Sequence, residues 1–157
     1  MRRSLLALLV GFAGLTALAA PLAAQTSDAS EAAVRAVIAD LFDGMRAKDT
    51  TAIRATMHPE ARLMTTIHRG DERRVQEDGI GEFLTAVASA PVDLDERIGD
   101  DYPVMVDDGL AVAWTPYRFY ADGNFSHCGV NAFMLALDGE GWRIVQIMDT
   151  RRRECAE

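Results

Sequence analysis

Apolar residues recur along this chain in two different periods, and the points where the period changes divide it into elements. Between Asp28 and Lys48, the residues Val34, Val37, Ile38, Leu41, Phe42 and Met45 fall at helical spacing on one stripe. Asp28 followed three positions later by Glu31 has the form of a capping box, so a first helix is expected to start there and end near Lys48. Asp49 and Thr50 can cap a short second helix through Ile53 to Met57, which His58-Pro59 stops, because proline disfavours helical geometry in the residue before it. From Ala61 the pattern becomes extended, and "ARLMTTIHRGDERRVQE" predicts two strands turning around Gly70-Asp71.

Helical spacing returns in "DGIGEFLTAVASA", with Ile80, Phe83, Leu84 and Val87 on one side and Pro91 after the end. Long strands are then expected over Glu96 to Val106, Leu110 to Tyr120, Asn124 to Leu137 and Trp142 to Arg151. Turns rich in glycine and Asn/Asp separate them at Asp107-Gly109, Asp122-Asn124 and Asp138-Gly141. Helix, helix, hairpin, helix and a meander of antiparallel strands make an α+β chain. A sheet of such long strands with helices on one face must curl, which predicts a cone-shaped cavity.

The first residues stand outside this pattern. "MRRSLLALLVGFAGLTALAAPLAAQ" has basic residues at Arg2 and Arg3, an apolar run from Leu5 to Ala20 and small residues before Gln25, which is the form of a secretory signal peptide. The expected organisation is a leader over 1–24, a spacer over 25–30 and one domain over 31–157. The product would be exported to the periplasm or the medium and free of the membrane after cleavage. Sixteen basic against twenty-four acidic residues give a net charge of -8, which loss of Arg2 and Arg3 takes to -10. An acidic protein of this kind is a poor partner for nucleic acid.

The residues give no standard catalytic constellation. His58, His68 and His127 lack metal-ligand spacing, and there is no glycine-rich phosphate loop and no serine nucleophile elbow, so neither metal nor cofactor is expected. On the last strand Arg143, Val145, Ile147 and Asp149 share one face, and Trp142, Ile144, Gln146 and Met148 the other; both are largely apolar, as in a strand covered on both sides. Arg151, Arg152 and Arg153 read as a solvated strand end. Cys128 and Cys155 would meet an oxidising compartment and are candidates for a disulfide. If Leu137 faces Trp142, Cys128 lies opposite Arg151 and Cys155 about 13 Å further along a straight strand, so the bond requires the tail to fold back or a bulge to shift the register. The alternative is a buried Cys128 and a free Cys155.

The order of elements, with "KDTTAIRATMHPEARL" after the first helix and "DGEGWRIVQIMDT" at the end, resembles the nuclear transport factor 2-like superfamily, which includes ketosteroid isomerase and SnoaL-like cyclases. The leader and "DGNFSHCGVNAFML" look most like its small exported lumazine-binding-like members. The resemblance implies a curved antiparallel sheet wrapped around helices, with Val145, Ile147 and Asp149 lining the cavity. It also implies that Phe133, Asn131 and His127 point inward, together with Trp114, Pro116 and Arg118 on the neighbouring strand. The Trp142 face is then the outer, dimer-forming surface. The isomerase's carboxylate base would fall near Met64-Thr65 and its second inward acid at Phe133, so isomerase activity is not expected.

Three readings stay open at this point. The leading one is a noncatalytic, homodimeric protein binding a small, partly apolar molecule through Trp114, Arg118, His127, Asn131, Phe133, Val145, Ile147 and Asp149. The second is a dehydratase, cyclase or hydrolase in which Asp149 and His127 do acid-base work. The third is a structural domain whose cavity is filled by its own side chains.

Overall fold

The computed structural model describes residues 22–70 and 72–155. Helix α1 (Leu22–Ala47) turns through Lys48, which has φ 55°, into α2 (Thr50–Thr56), whose N-cap Asp49 accepts from the backbone N–H groups of Thr51 and Ala52. Val34, Ile38, Leu41, Phe42 and Met45 are buried, as their spacing predicts. The helix does not start at Asp28. It runs unbroken from Leu22, so the expected 25–30 spacer is helical and Glu31 pairs with Arg35 at 2.7 Å instead of closing a capping box. Most of the expected leader, residues 1–21, lies outside the described residues.

Strand β1 (Met57–Arg69) follows α2 directly and pairs antiparallel with β2 (Glu72–Asp78) around Gly70. Helix α3 (Ile80–Ser89) buries Leu84 and Val87. The single strand expected over Glu96 to Val106 is two, β3 (Leu94–Ile98) and β4 (Val104–Asp107), which dock on opposite ends of β5 (Leu110–Ala121). Between them Tyr102 is buried against the Arg35 guanidinium, 4.4 Å from its ring centroid. β6 (Asn124–Asp138) and β7 (Gly141–Thr150) complete a sheet of order β2-β1-β7-β6-β5-β3, with β4 on β5. The sheet is mixed rather than wholly antiparallel, because β1 runs parallel to β7.

Three breaks in register shape this sheet, at Met57/Arg62, Phe119/Tyr120 and Met134/Leu135. Each is a bulge or irregularity that bends its strands and increases their twist. The third governs the site. Leu135 pairs with Ile144 and Met134 with Gln146, leaving Val145 as the extra residue. The inward set on β7 therefore runs Trp142, Ile144, then Ile147 and Asp149. Trp142 and Ile144 belong to the core with Ala111, Ala113, Phe133 and Leu135, so they are not on the outer face that the resemblance implies. The core is closed on α1, where the Phe42 and Phe133 rings meet edge to face at 6.1 Å. Burying side chains of this size contributes about 1.5–3 kcal/mol each.

Candidate functional site

Beyond the packed end of the cone, the sheet and helices enclose a cavity of about 540 Å³. Phe42, Phe83, Phe119, Phe133, Leu63 and Ile147 supply its apolar wall. Glu82, Ala86 and Arg151 line it while remaining exposed, which marks its mouth. The cavity is open, so it is not filled by the protein's own side chains.

Of the residues expected to line it, His127, Asn131, Phe133, Ile147 and Asp149 do so. Trp114, Pro116 and Arg118 do not. Trp114 pairs with Ala132 and Thr115 with Asn131, so on β5 the inward residues are Thr115, Tyr117 and Phe119, one position away from those expected, while Trp114 is 53% exposed on the outer face. Val145 is absent from the lining because the bulge takes it out of the alternation.

The polar floor is built where β5, β6 and β7 converge on β3. Asn131 Nδ2 donates to Glu96 Oε1 at 2.6 Å and lies 3.4 Å from Thr115 Oγ1. Tyr117 OH donates to the Thr150 carbonyl at 3.0 Å and to Asp149 Oδ2 at 3.3 Å. Arg151 Nε donates to the same Asp149 oxygen at 2.8 Å, and its Nη2 donates to Thr65 Oγ1 at 3.3 Å. Asp149 Oδ1 is buried and has no hydrogen-bond partner. Arg151 is thus the cation beside Asp149, and of the three terminal arginines only Arg152 and Arg153 match a solvated strand end.

Gly129 makes this convergence possible. It sits opposite Tyr117, and a Cβ on it would fall 1.7 Å from the Thr150 carbonyl oxygen and 2.7 Å from the Tyr117 ring. Just beyond, Cys128 bridges to Arg152, one residue further than a straight count from Leu137 and Trp142 gives, because of the bulge. The tail then bends back and Cys155 forms a disulfide with Cys128, with Cα atoms 6.1 Å apart. Both routes to the bond, a shifted register and a folded tail, are used together.

Burial shifts the floor's titratable groups. Glu96 as a residue is partly exposed, but its carboxyl lies deep among protein atoms, which pushes its pKa up to about 7. The Asn131 hydrogen bond opposes that rise, while the negative charge of Asp149 adds to it and Arg151 reduces it. Burial, then the charges of Asp149 and Glu96, raise the Tyr117 phenol well above its ordinary value. His127 is held below its ordinary value, first by burial and then by Arg151. Its ring stacks on Phe119 at 4.9 Å and its Nδ1 lies 3.1 Å from Ser126 Oγ. Among the described residues no hydrogen bond joins His127 to Asp149, so the pair expected for acid-base work is not assembled. No group of three or more His, Cys, Asp or Glu among the described residues is placed to hold a metal ion.

Glu96, Tyr117 and Arg151 are the principal floor residues that sequence reasoning missed. Glu96 had a signal: in "LDERI", Leu94 and Ile98 alternate with it on the core-facing side, so an acid stands at an apolar position. Tyr117 follows from the correct parity of β5.

A mixed, strongly bent sheet closed by a helical hairpin and a third helix around an open cavity is the fold of the nuclear transport factor 2-like superfamily, also described as cystatin-like. Solved structures agree. A candidate dehydratase of that family from Streptomyces avermitilis superposes with a TM-score of 0.62 at 16% identity, over 80% of this chain and 97% of its own. A superfamily member from Salmonella enterica gives 0.63 at 14% identity, over 82% and 95%. A cystatin-like domain from Nostoc punctiforme gives 0.59 at 19% identity, over 82% and 79%. No family model matches the chain, and no curated protein matches it in sequence.

Proposed function

We propose that this protein binds a small, partly apolar molecule in the cone cavity, oriented by the floor of Glu96, Asn131, Tyr117, Asp149 and Arg151. The observation that carries the reading is the composition of the cavity: a wide apolar and aromatic wall with a few convergent polar groups at one end, the usual form of a small-molecule site. Native mass spectrometry of the protein purified from its own host tests it. A co-purifying compound of a few hundred daltons is expected, and the bare polypeptide mass alone would count against the reading.

A second reading is favoured by one observation, the Glu96 carboxyl with a pKa of about 7. A carboxyl that exchanges its proton near neutrality is suited to general acid-base catalysis. An enzyme working here would therefore use Glu96, supported by Asn131 and Asp149, in place of a His127–Asp149 pair. Turnover of a bound compound that vanishes in Glu96→Gln while binding persists would establish it.

Export and dimerisation belong to the same proposal. The leader-like first residues and the Cys128–Cys155 disulfide both support an oxidising compartment. Among the described residues no helix is long and apolar enough to cross a membrane. The proposed dimer surface is the outer sheet face, but its residues are Met105, Val112, Trp114, Met134 and Met148. Neighbouring strands bring them together: Met105 pairs with Val112, Val112 with Met134, and Trp114 with Ala132, which pairs with Met148. Met105, Trp114 and Met134 are exposed, and a contiguous apolar patch of this kind fits a second copy of the chain.

A further inference from the structure

We propose that the cavity selects an organic ammonium ligand, with its charged head on the floor between Asp149 and Glu96 and its apolar body against the aromatic wall. This rests on the small-molecule reading above and adds the chemistry of the molecule bound.

Three independent features point to a cation. The lining carries four acids, Asp78, Glu82, Glu96 and Asp149, against one arginine, Arg151, and such a predominantly acidic cleft concentrates cations. The Arg151 side chain is 56% exposed at the mouth, so solvent weakens its hold on the floor. Second, Asp149 is only 8% exposed and lines the cavity, and its Oδ1 is a buried acceptor with no donor. A buried carboxylate oxygen in that condition is costly, and a cationic head group bound beside Asp149 would offset part of that cost electrostatically. Third, Phe42, Phe83, Tyr117, Phe119 and Phe133 surround the same space with aromatic rings, whose faces attract cations, most strongly when desolvated. His127, held below its ordinary proton affinity by burial and Arg151, adds a neutral ring at neutral pH rather than a competing charge.

The charge of Glu96 links binding to pH. The groups facing it are Asn131 on β6, Tyr117 on β5, and Asp149 and Arg151 at the end of β7, with His127 on β6 lining the same cavity. On α1, Arg46 Nη1 donates to the Glu96 backbone carbonyl. Glu96 is half protonated near pH 7, so an incoming cation favours its ionised form and binding releases a proton. Affinity for an ammonium should therefore rise as pH rises through 7, as long as the amine itself stays protonated.

The test is isothermal titration calorimetry of the disulfide-bonded protein with three probes sharing one aromatic body: 2-naphthylmethylammonium, 2-naphthylmethanol and 2-naphthoate. The ammonium is expected to bind about tenfold tighter than the alcohol and the carboxylate weakest, as desolvated cation–π and charged hydrogen bonds imply. Its affinity should rise several-fold from pH 6 to pH 8 with proton release, and Glu96→Gln should flatten that dependence. Asp149→Asn should weaken the ammonium more than the alcohol, with near-UV circular dichroism checking that the variant is folded. If Asp149→Asn does not fold, the pH profile of Glu96→Gln carries the test. Carboxylate binding equal to or tighter than ammonium binding overturns this inference and leaves the cavity reading standing. Failure of all three probes to bind contradicts both.

Discussion

Asn131 Nδ2 donates to Glu96 Oε1 at 2.6 Å, joining the middle of β6 to a short strand that is 35 residues away in sequence. The contact holds an acid of the cavity floor, yet it does not restore that acid to its ordinary range: the pKa stays at about 7.

A pH dependence of stability follows. The folded pKa of Glu96 lies above its unfolded value near 4.5, so between those values the native state binds more protons than the unfolded one. The protein should lose stability as pH rises from 4.5 through 7, by up to about 3 kcal/mol from this group. Thermal melts from pH 5 to pH 8 should show that decline, and Glu96→Gln should reduce it and raise the melting temperature at pH 8. An unchanged profile in the variant would mean that Glu96 is not the group responsible.

Gly129→Ala should be severe for a residue bearing no side chain. The added methyl group meets backbone at 1.7 Å on one side and the Tyr117 ring on the other, and neither can withdraw without separating β6 from the end of β7. A loss of about 3 kcal/mol or more is expected in urea denaturation, the upper range for overpacking. A change below about 0.5 kcal/mol, the usual scatter of surface substitutions, would contradict the close approach.

The Cys128–Cys155 bond closes a loop with a sequence separation of 27 and ties the segment carrying Arg151 to β6. Removing it through Cys155→Ser should cost about 3.5 kcal/mol on chain-entropy grounds. Thiol titration of the unfolded, unreduced protein should find none, and two after reduction; two before reduction would remove the bond.

Trp114 and Met134, exposed on the outer face, are expected to be covered by a second copy of the chain. Sedimentation should give a dimer at micromolar concentration, and Trp114→Lys with Met134→Lys should give a folded monomer. A monomeric parent protein would contradict the proposed surface.

The sequence was legible where periodicity or turn chemistry acts locally. The stripe from Val34 to Met45, the Asp49 cap, the Gly70 hairpin and the Asp122-Gly123 turn, both of whose residues have positive φ, all follow from neighbours in the chain. Five of the expected lining residues also face the cavity. The misplaced cavity residues have one physical source. Alternation fixes which residues share a face but not which face is inside, and a single bulge reverses the count. That is why Ile147 and Asp149 were placed inward by a parity that put Trp142 and Ile144 outside, where they are not. Trp114 and Arg118 were misplaced by the same ambiguity on β5. Arg151 falls on the same strand face as Asp149, which lies two residues before it, and alternation alone points to the pair; reading Arg151 with Arg152 and Arg153 as one solvated run hides this.

The most direct test of the central proposal is to locate binding within the molecule, with a neutral probe so that the outcome does not depend on the ammonium preference. Methyl NMR spectra recorded during titration with 2-naphthylmethanol should show concerted shifts at Leu63, Val87, Leu94 and Ile147, which line the cavity. Val112 and Met134 on the outer face should stay unmoved. Shifts confined to Val112 and Met134, or none at saturating probe, would contradict a small-molecule site in the cone.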